Sequence, residues 1–319
     1  MRRRYLNFNL ENGFINNWLI AGSQEIPVDL SKLQKEDLKS TLAQKHYERE
    51  SGITITPVER GPLTKGLFQV GDYQGSWEYY ACKEDHQIDF SGFYHTPKYL
   101  RSWAYTQLTS KSPQEVLLVL TTHGPADIWL NGEHVHHQEH FSKQHPDNDS
   151  VAVTLKKGVN KILVRFETVA IRACQYALAL QVCKPAGTQE PYPPESGIHV
   201  TLPTIIEDIK RRNKFEAAAA VCFTGQEVFE PQQKIRLFWP QDLKDPSPAV
   251  VRLQTEAGQI HAEATVDGTQ GDELFLHSPH QIPAGPYRIR MLPLQNEFYD
   301  HDMRITHEIP VWNLGRGAY

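Results

Sequence analysis

The sequence predicts an all-β protein built from two sandwich domains. Three observations carry that reading. Short β-compatible segments alternate with turn signals between 115 and 182, at the spacing of a sandwich or jelly roll. A proline-rich stretch interrupts the chain at 185–197. Beyond it the short-strand style resumes without repeating the sequence. With 319 residues, 39% of them hydrophobic, the chain can bury two ordinary cores.

The first domain is expected over 1–184. Its opening strand is Asn17-Trp-Leu-Ile-Ala-Gly22. A short surface helix is expected within 29–47, where Leu38 and Leu42 share a face and Ser31 is a candidate cap. The apolar run 115–122 is ended by Gly124-Pro125. The alternating segment 126–130 then meets Asn131-Gly132 and the return 133–135. Asn-Gly between two alternating segments signals a type I′ hairpin, because both central residues need positive φ. Segments 151–155 and 161–166 flank a second turn at 156–160, and 175–182 closes the set.

The stretch 185–197 holds four prolines and two glycines in thirteen residues, which reads as a stiff linker. The second domain is expected over 198–319 as an immunoglobulin-like or fibronectin-like sandwich. Its expected strands are 215–223, 234–239, 249–254, 259–266, 273–276 and 285–291. The first of these contains Ala217 to Ala220, a run that favours helix.

Trp129-Leu-Asn-Gly-Glu-His-Val135, 151–155 and Gly158-Val-Asn-Lys-Ile-Leu-Val164 resemble the closing hairpins of galactose-binding-like jelly rolls. The strand at 17–22 is similar to the first strand of those modules, and 88–94 and 102–106 to their middle strands. Members often follow the first strand with Pro-Phe, where this chain has Ser23-Gln24. The resemblance covers 12–183. It implies an accessory module of a glycoside hydrolase, of the β-galactosidase or rhamnosidase type, followed by a second sandwich. It also implies a catalytic domain or partner chain elsewhere, so the chain reads as part of a larger enzyme or as a free-standing accessory protein.

The implied ligand is a carbohydrate. Sugar sites pair aromatic faces with a few carboxylates, amides or histidines. The stretch 73–86 offers both, with Trp77 or Tyr79 as platform and Asp85 or His86 as polar contact. The competing reading puts Trp77 and Tyr80 in the core. Histidines 134, 136, 137, 140 and 145 cluster in sequence, and on a regular strand His134 and His136 would share a face as metal ligands do. The oxygen-rich stretch 145–150 is a candidate calcium turn, though few ligands are on offer. Otherwise no cofactor is expected.

No catalytic motif is present: no nucleophile elbow, no phosphate loop and no dinucleotide fingerprint. The carboxylate pairs Glu84/Asp85, Asp127/Glu133 and Glu207/Asp208 sit in no motif and read as surface or turn residues. An enzyme using carboxylates or histidines on the jelly-roll face, and a purely structural module, remain the alternatives. In the second domain, 238–240 and 311–312 carry aromatic residues that fit either a neighbouring domain or their own core. The net charge of −5 argues against nucleic acid. No apolar stretch is long enough to span a membrane, and Arg2-Arg3-Arg4 leads into no apolar signal region. Four cysteines without a C-x-x-C pair fit a reducing, cytoplasmic setting, with Cys174 and Cys222 expected to be buried.

Overall fold

The computed structural model describes residues 5–29, 38–54, 62, 66–142, 145–185, 190–193, 196–204, 206–230, 234–238, 249–255, 259–266, 273–276, 282–293 and 307–313. The chain divides into two compact units, 1–206 and 207–319.

The first unit runs through β1 (Leu6–Phe8), β2 (Asn17–Pro27), α1 (Leu38–His46), β3 (Leu67–Val70), β4 (Tyr73–Ser76), β5 (Glu78–Ala81), β6 (Ile88–Asp89) and β7 (Gly92–Ser110). It continues with β8 (Gln114–Thr122), β9 (Ala126–Leu130), β10 (Glu133–Gln138), β11 (Asp147–Leu155), β12 (Gly158–Cys174), β13 (Ala177–Cys183) and β14 (Ile198–Leu202). The larger sheet has the order β1-β14-β7-β12-β9-β10, with β2 also on β7 and β5 on β2. The facing sheet is β11-β8-β13-β6, and β3 and β4 form a separate hairpin.

Side chains alternate across a strand, so register decides which residues share a face. Along β12, Ile162, Val164 and Phe166 are buried on one side, and Phe166 meets Tyr176 and Phe90 beside the second sheet. Leu163, Arg165, Glu167 and Val169 occupy the other side, level with Tyr105, Trp103, Arg101 and Tyr99 of β7. Strand β11 is half wet: Val153 and Leu155 are buried while Ala152 and Thr154 are exposed.

Turn chemistry follows the sequence. Asn131 and Gly132 both take positive φ, 55° and 89°, and join β9 to β10 as a type I′ turn requires. At the second turn Gly158 has φ 93°, and the buried Asn160 amide donates to the Lys156 and Gly158 carbonyls. Gly124 packs against the Glu167 carbonyl so closely that any β-carbon would overlap it.

One expectation lies partly outside the described residues, and two change. Helix α1 exists, but Ser31 lies outside the described residues. The proline-rich stretch is not a free linker where it is described. Tyr192 donates its N–H to Val182 O at 2.9 Å, Lys184 N–H donates to Glu190 O, and Pro191 bridges Cys183. Residues 198–202, expected to start the second domain, form β14 and pair with β1 and β7. The first unit therefore reaches Ile206.

In the second unit, 206–220 forms α2 (Ile206–Ala220) where a strand was expected over 215–223. The alanine run prevails because alanine is the best helix former, and Phe215 and Ala219, four apart, are both buried. Strands β15 (Phe223–Thr224), β16 (Val228–Phe229), β17 (Ile235–Phe238), β18 (Ala249–Gln254), β19 (Ile260–Val266), β20 (Glu273–Leu276), β21 (Gly285–Pro293) and β22 (His307–Asn313) complete it. They form sheets β15-β17-β20 and β16-β22-β21-β18-β19. Leu237 and Leu276 of the first, Val251, Ile289 and Met291 of the second, and Phe215 of α2 share one core. Val311 belongs to that core and Phe238 stacks on Phe223, while Trp239 and Pro240 lie outside the described residues. Among the described residues no helix is long and apolar enough to cross a membrane.

Gly124→Ala tests the close approach at β12. It is expected to cost about 1–3 kcal/mol, read as a lower thermal midpoint with the native far-UV spectrum retained.

Candidate functional site

The residues expected to hold a sugar do not form a site together. Trp77 is only 1% exposed. Its ring meets Phe68 edge-on at 5.2 Å and Tyr105 at 6.2 Å, so it plugs the core and offers no face to a ligand. Tyr79 is also buried, because β5 pairs with β2 and turns its ring inwards. Its hydroxyl donates to Asn17 Oδ1 at 2.7 Å, and burial pushes it up to about 12. Asp85 is exposed and accepts from the Gln87 N–H. His86 takes φ 60°, stacks on Phe14 at 4.5 Å and pairs with Asn16 Oδ1 at 3.1 Å.

The histidine cluster is also split. A bulge between His134 and His136 breaks the alternation that would have put them on one face. His134 Nε2 and His137 Nδ1 both hydrogen bond Asp127 Oδ1, at 2.8 and 2.9 Å. His136 instead faces Asp149 Oδ2 at 3.2 Å. The candidate calcium turn is in fact the start of β11, whose alternation sends successive side chains apart. Among the described residues no group of three His, Cys, Asp or Glu could hold a metal ion.

Asp127 belongs to a buried ionic network that the sequence reading missed. Arg165 is fully buried and donates from Nη2 to Asp127 Oδ2 at 2.6 Å. Its Nε lies 3.1 Å from Glu167 Oε1 without hydrogen-bond alignment. Arg101 Nε donates to Glu167 Oε1 at 2.6 Å, and the Tyr99 hydroxyl donates to Glu167 Oε2. Burial pushes the Asp127 carboxyl up. The His137 hydrogen bond, the Arg165 charge and the His134 bond outweigh it and hold the group below the usual carboxylate range. The Asp127 hydrogen bond raises His137. A signal was available: Tyr99-x-Arg101-x-Trp103 and Arg165-x-Glu167 alternate on strands that pair.

The polar cavity lies at one end of the sandwich, where five chain segments meet. It has a volume of about 560 Å³. Lys39 of α1, Ser91 and Gly92 at the start of β7, His123 after β8, Ser142 after β10, and Thr168, Ala173, Cys174 and Gln175 around the end of β12 line it. The His123 carbonyl accepts from Ser142 N–H at 3.0 Å, while His123 Nδ1 has no hydrogen-bond partner among the described residues. Burial lowers His123, so the imidazole is neutral at pH 7. Ser91 Oγ accepts from Tyr176 N–H at 3.0 Å. Cys174 is buried, and burial raises its thiol, which removes it as a nucleophile. Phe93, the register partner of Ala173, is 45% exposed and meets the His95 ring at 4.9 Å. None of the nine lining residues is a carboxylate. The cavity presents hydroxyls, an imidazole, an amide and an ammonium.

No protein-family model matches the sequence, and no curated protein matches it. Several solved structures match it at low TM-score. A family 35 carbohydrate-binding module from Clostridium thermocellum is 14% identical over 31% of this chain and 93% of its own, with a TM-score of 0.23. A β-glucuronidase from Ruminococcus gnavus is 11% identical over 98% of this chain and 45% of its own, TM-score 0.25. A β-glucosidase from Kluyveromyces marxianus is 18% identical over 38% and 13%, TM-score 0.20. The chain thus spans less than half the length of the β-glucuronidase.

Asp127→Asn leaves the fully buried Arg165 without its closest anion and is expected to cost about 3–5 kcal/mol, read by denaturant unfolding. His137 contributes stability with the opposite pH sense. Its raised value makes the contribution full below its unfolded pKa of about 6.5. The contribution is lost as pH rises through the folded value. The stability gap between wild type and His137→Gln should therefore be largest near pH 5.5 and shrink by pH 9.

Proposed function

We propose that the chain is a non-catalytic, carbohydrate-binding accessory region of a carbohydrate-active enzyme, with its ligand site in the cavity at the end of the first sandwich. The second unit is read as an immunoglobulin-like sandwich. The observation that supports binding is the composition of the cavity wall. Hydroxyls from Ser91, Ser142 and Thr168, the His123 imidazole, the Gln175 amide and the Lys39 ammonium match the alternating donors and acceptors of a sugar.

The same wall argues against cleavage. Glycosidic hydrolysis ordinarily needs two carboxylates flanking the bond. Among the described lining residues there is none, and Asp127 and Glu167 are committed to Arg165 and Arg101.

Calorimetric titration with a panel of neutral and acidic mono- and oligosaccharides tests the reading. One class should bind, and His123→Ala and Gln175→Ala should each weaken it at least tenfold. Trp77→Phe should leave the affinity unchanged. Binding unaffected by both cavity variants would overturn the site, and turnover of any member of the panel would overturn the non-catalytic reading.

A further inference from the structure

The outer face of the large sheet carries a second feature, a segment of the chain lying across it. Residues 46–51 follow α1 and turn their carbonyls towards the sheet. Arg101 Nη2 donates to His46 O, and Arg165 Nη2 donates to Glu48 O. Arg165 Nη1 donates to Glu50 O at 2.7 Å, and Trp103 Nε1 to Ser51 O at 2.9 Å. The carbonyls of 46, 48, 50 and 51 thus all face the sheet, with the chain bending at 49 and 50. Above them, His46 lies on Tyr99 at 4.7 Å and Tyr47 on His137 at 4.4 Å.

Residues 46–51 are held by polar contacts, while α1 before them packs Leu42 against Tyr99 and Val169. None of the side chains from 46 to 53 is buried, and Tyr47 is 42% exposed. Within α1 only Leu42 and Ala43 are buried. The face beneath balances its own charge, since Arg101 and Arg165 are matched by Glu167 and Asp127. The covering segment supplies four carbonyl acceptors and, from Glu48, a carboxylate 3.6 Å from Arg101, and hydroxyl oxygens would serve in place of the carbonyls. Lifting it would uncover planar guanidinium and indole donors among the rings of Tyr99, Trp103 and His137.

We propose that 38–53 is a strap occupying a second carbohydrate-binding face, one that takes a linear oligosaccharide when the strap lifts. This rests on the carbohydrate reading above but places a different site on the same unit. A binding face that is only fractionally open shows a weakened apparent affinity, so loosening the strap strengthens binding. The rim cavity predicts the reverse, because α1 supplies its Lys39 wall.

The test combines Leu42→Ala with Tyr47→Ala in the full chain and titrates β-1,4-linked hexasaccharides of glucose, xylose and galactose. The double variant should bind one of them at least fivefold more tightly than the parent. It should keep that gain when His123→Ala is added. No gain in a variant that melts cooperatively overturns the strap, as does a gain that disappears with His123→Ala. Failure of the parent to bind any sugar sinks the rim site alone and leaves the gain in the variant as the criterion. Should the double variant not fold, hydrogen exchange of the parent decides. The α1 amides of 42–46 should exchange through a local opening. Exchange only with global unfolding, at the rate of the β7 and β12 amides, overturns the proposal.

Discussion

A guanidinium removed from water has to be met by an anion, and the Arg165 side chain is fully buried. Much of the first unit is arranged around that requirement. Three adjacent strands each bring a partner: β9 brings Asp127, β12 brings Glu167 two residues along, and β7 brings Arg101 and Tyr99 to complete the neutralisation. A slip of one residue in any of these pairings would send the charges to the apolar side, between the sheets. The network therefore fixes register more strictly than apolar alternation alone. Its net contribution to stability is smaller than its number of bonds suggests, because desolvation offsets the attraction.

Strand β12 divides two kinds of polar chemistry along its length. Arg165 and Glu167 are fully engaged with protein partners, and their charges are spent on holding the sheet and the segment above it. One residue later Thr168 turns to the rim cavity, and Ala173, Cys174 and Gln175 follow where the ladder to β7 shifts near Ala170 and Arg172. The buried ionic groups and the residues that line the cavity thus lie within ten residues of one another. Gly124 belongs to both regions. It lets the β8–β9 connection pass against the Glu167 carbonyl, and that connection also carries His123 into the cavity wall.

Much of the strand pattern was legible in the sequence. Segments 126–130, 249–254 and 273–276 coincide with β9, β18 and β20, because alternation and turn residues act over a few neighbours. Helix α2 was misread because 215–223 is apolar enough for a strand, while four successive alanines lose little by coiling. The cavity was not legible at all. It gathers side chains from segments far apart in sequence, each ordinary in its own context. Trp77 shows the opposite error, since an aromatic residue beside glycine and polar neighbours reads as a surface loop until pairing of β5 with β2 turns the stretch inwards. The resemblance to galactose-binding-like modules pointed to the hairpins but gave no sign of the buried arginines on the far face.

The pairing of β1 with β14 links Leu6–Phe8 to Thr201 and its neighbours, and β14 also seals one flank of β7. During synthesis the early strand has no partner until residues beyond 198 have left the ribosome, roughly ten to forty seconds later at bacterial or eukaryotic rates. Until then the Leu108–Ser110 end of β7 lacks its β14 partner, while β2 already pairs farther along the strand. The first unit consequently closes late, after its own hairpins have formed, and a gene fragment cut in the proline-rich stretch would encode a sandwich that never closes.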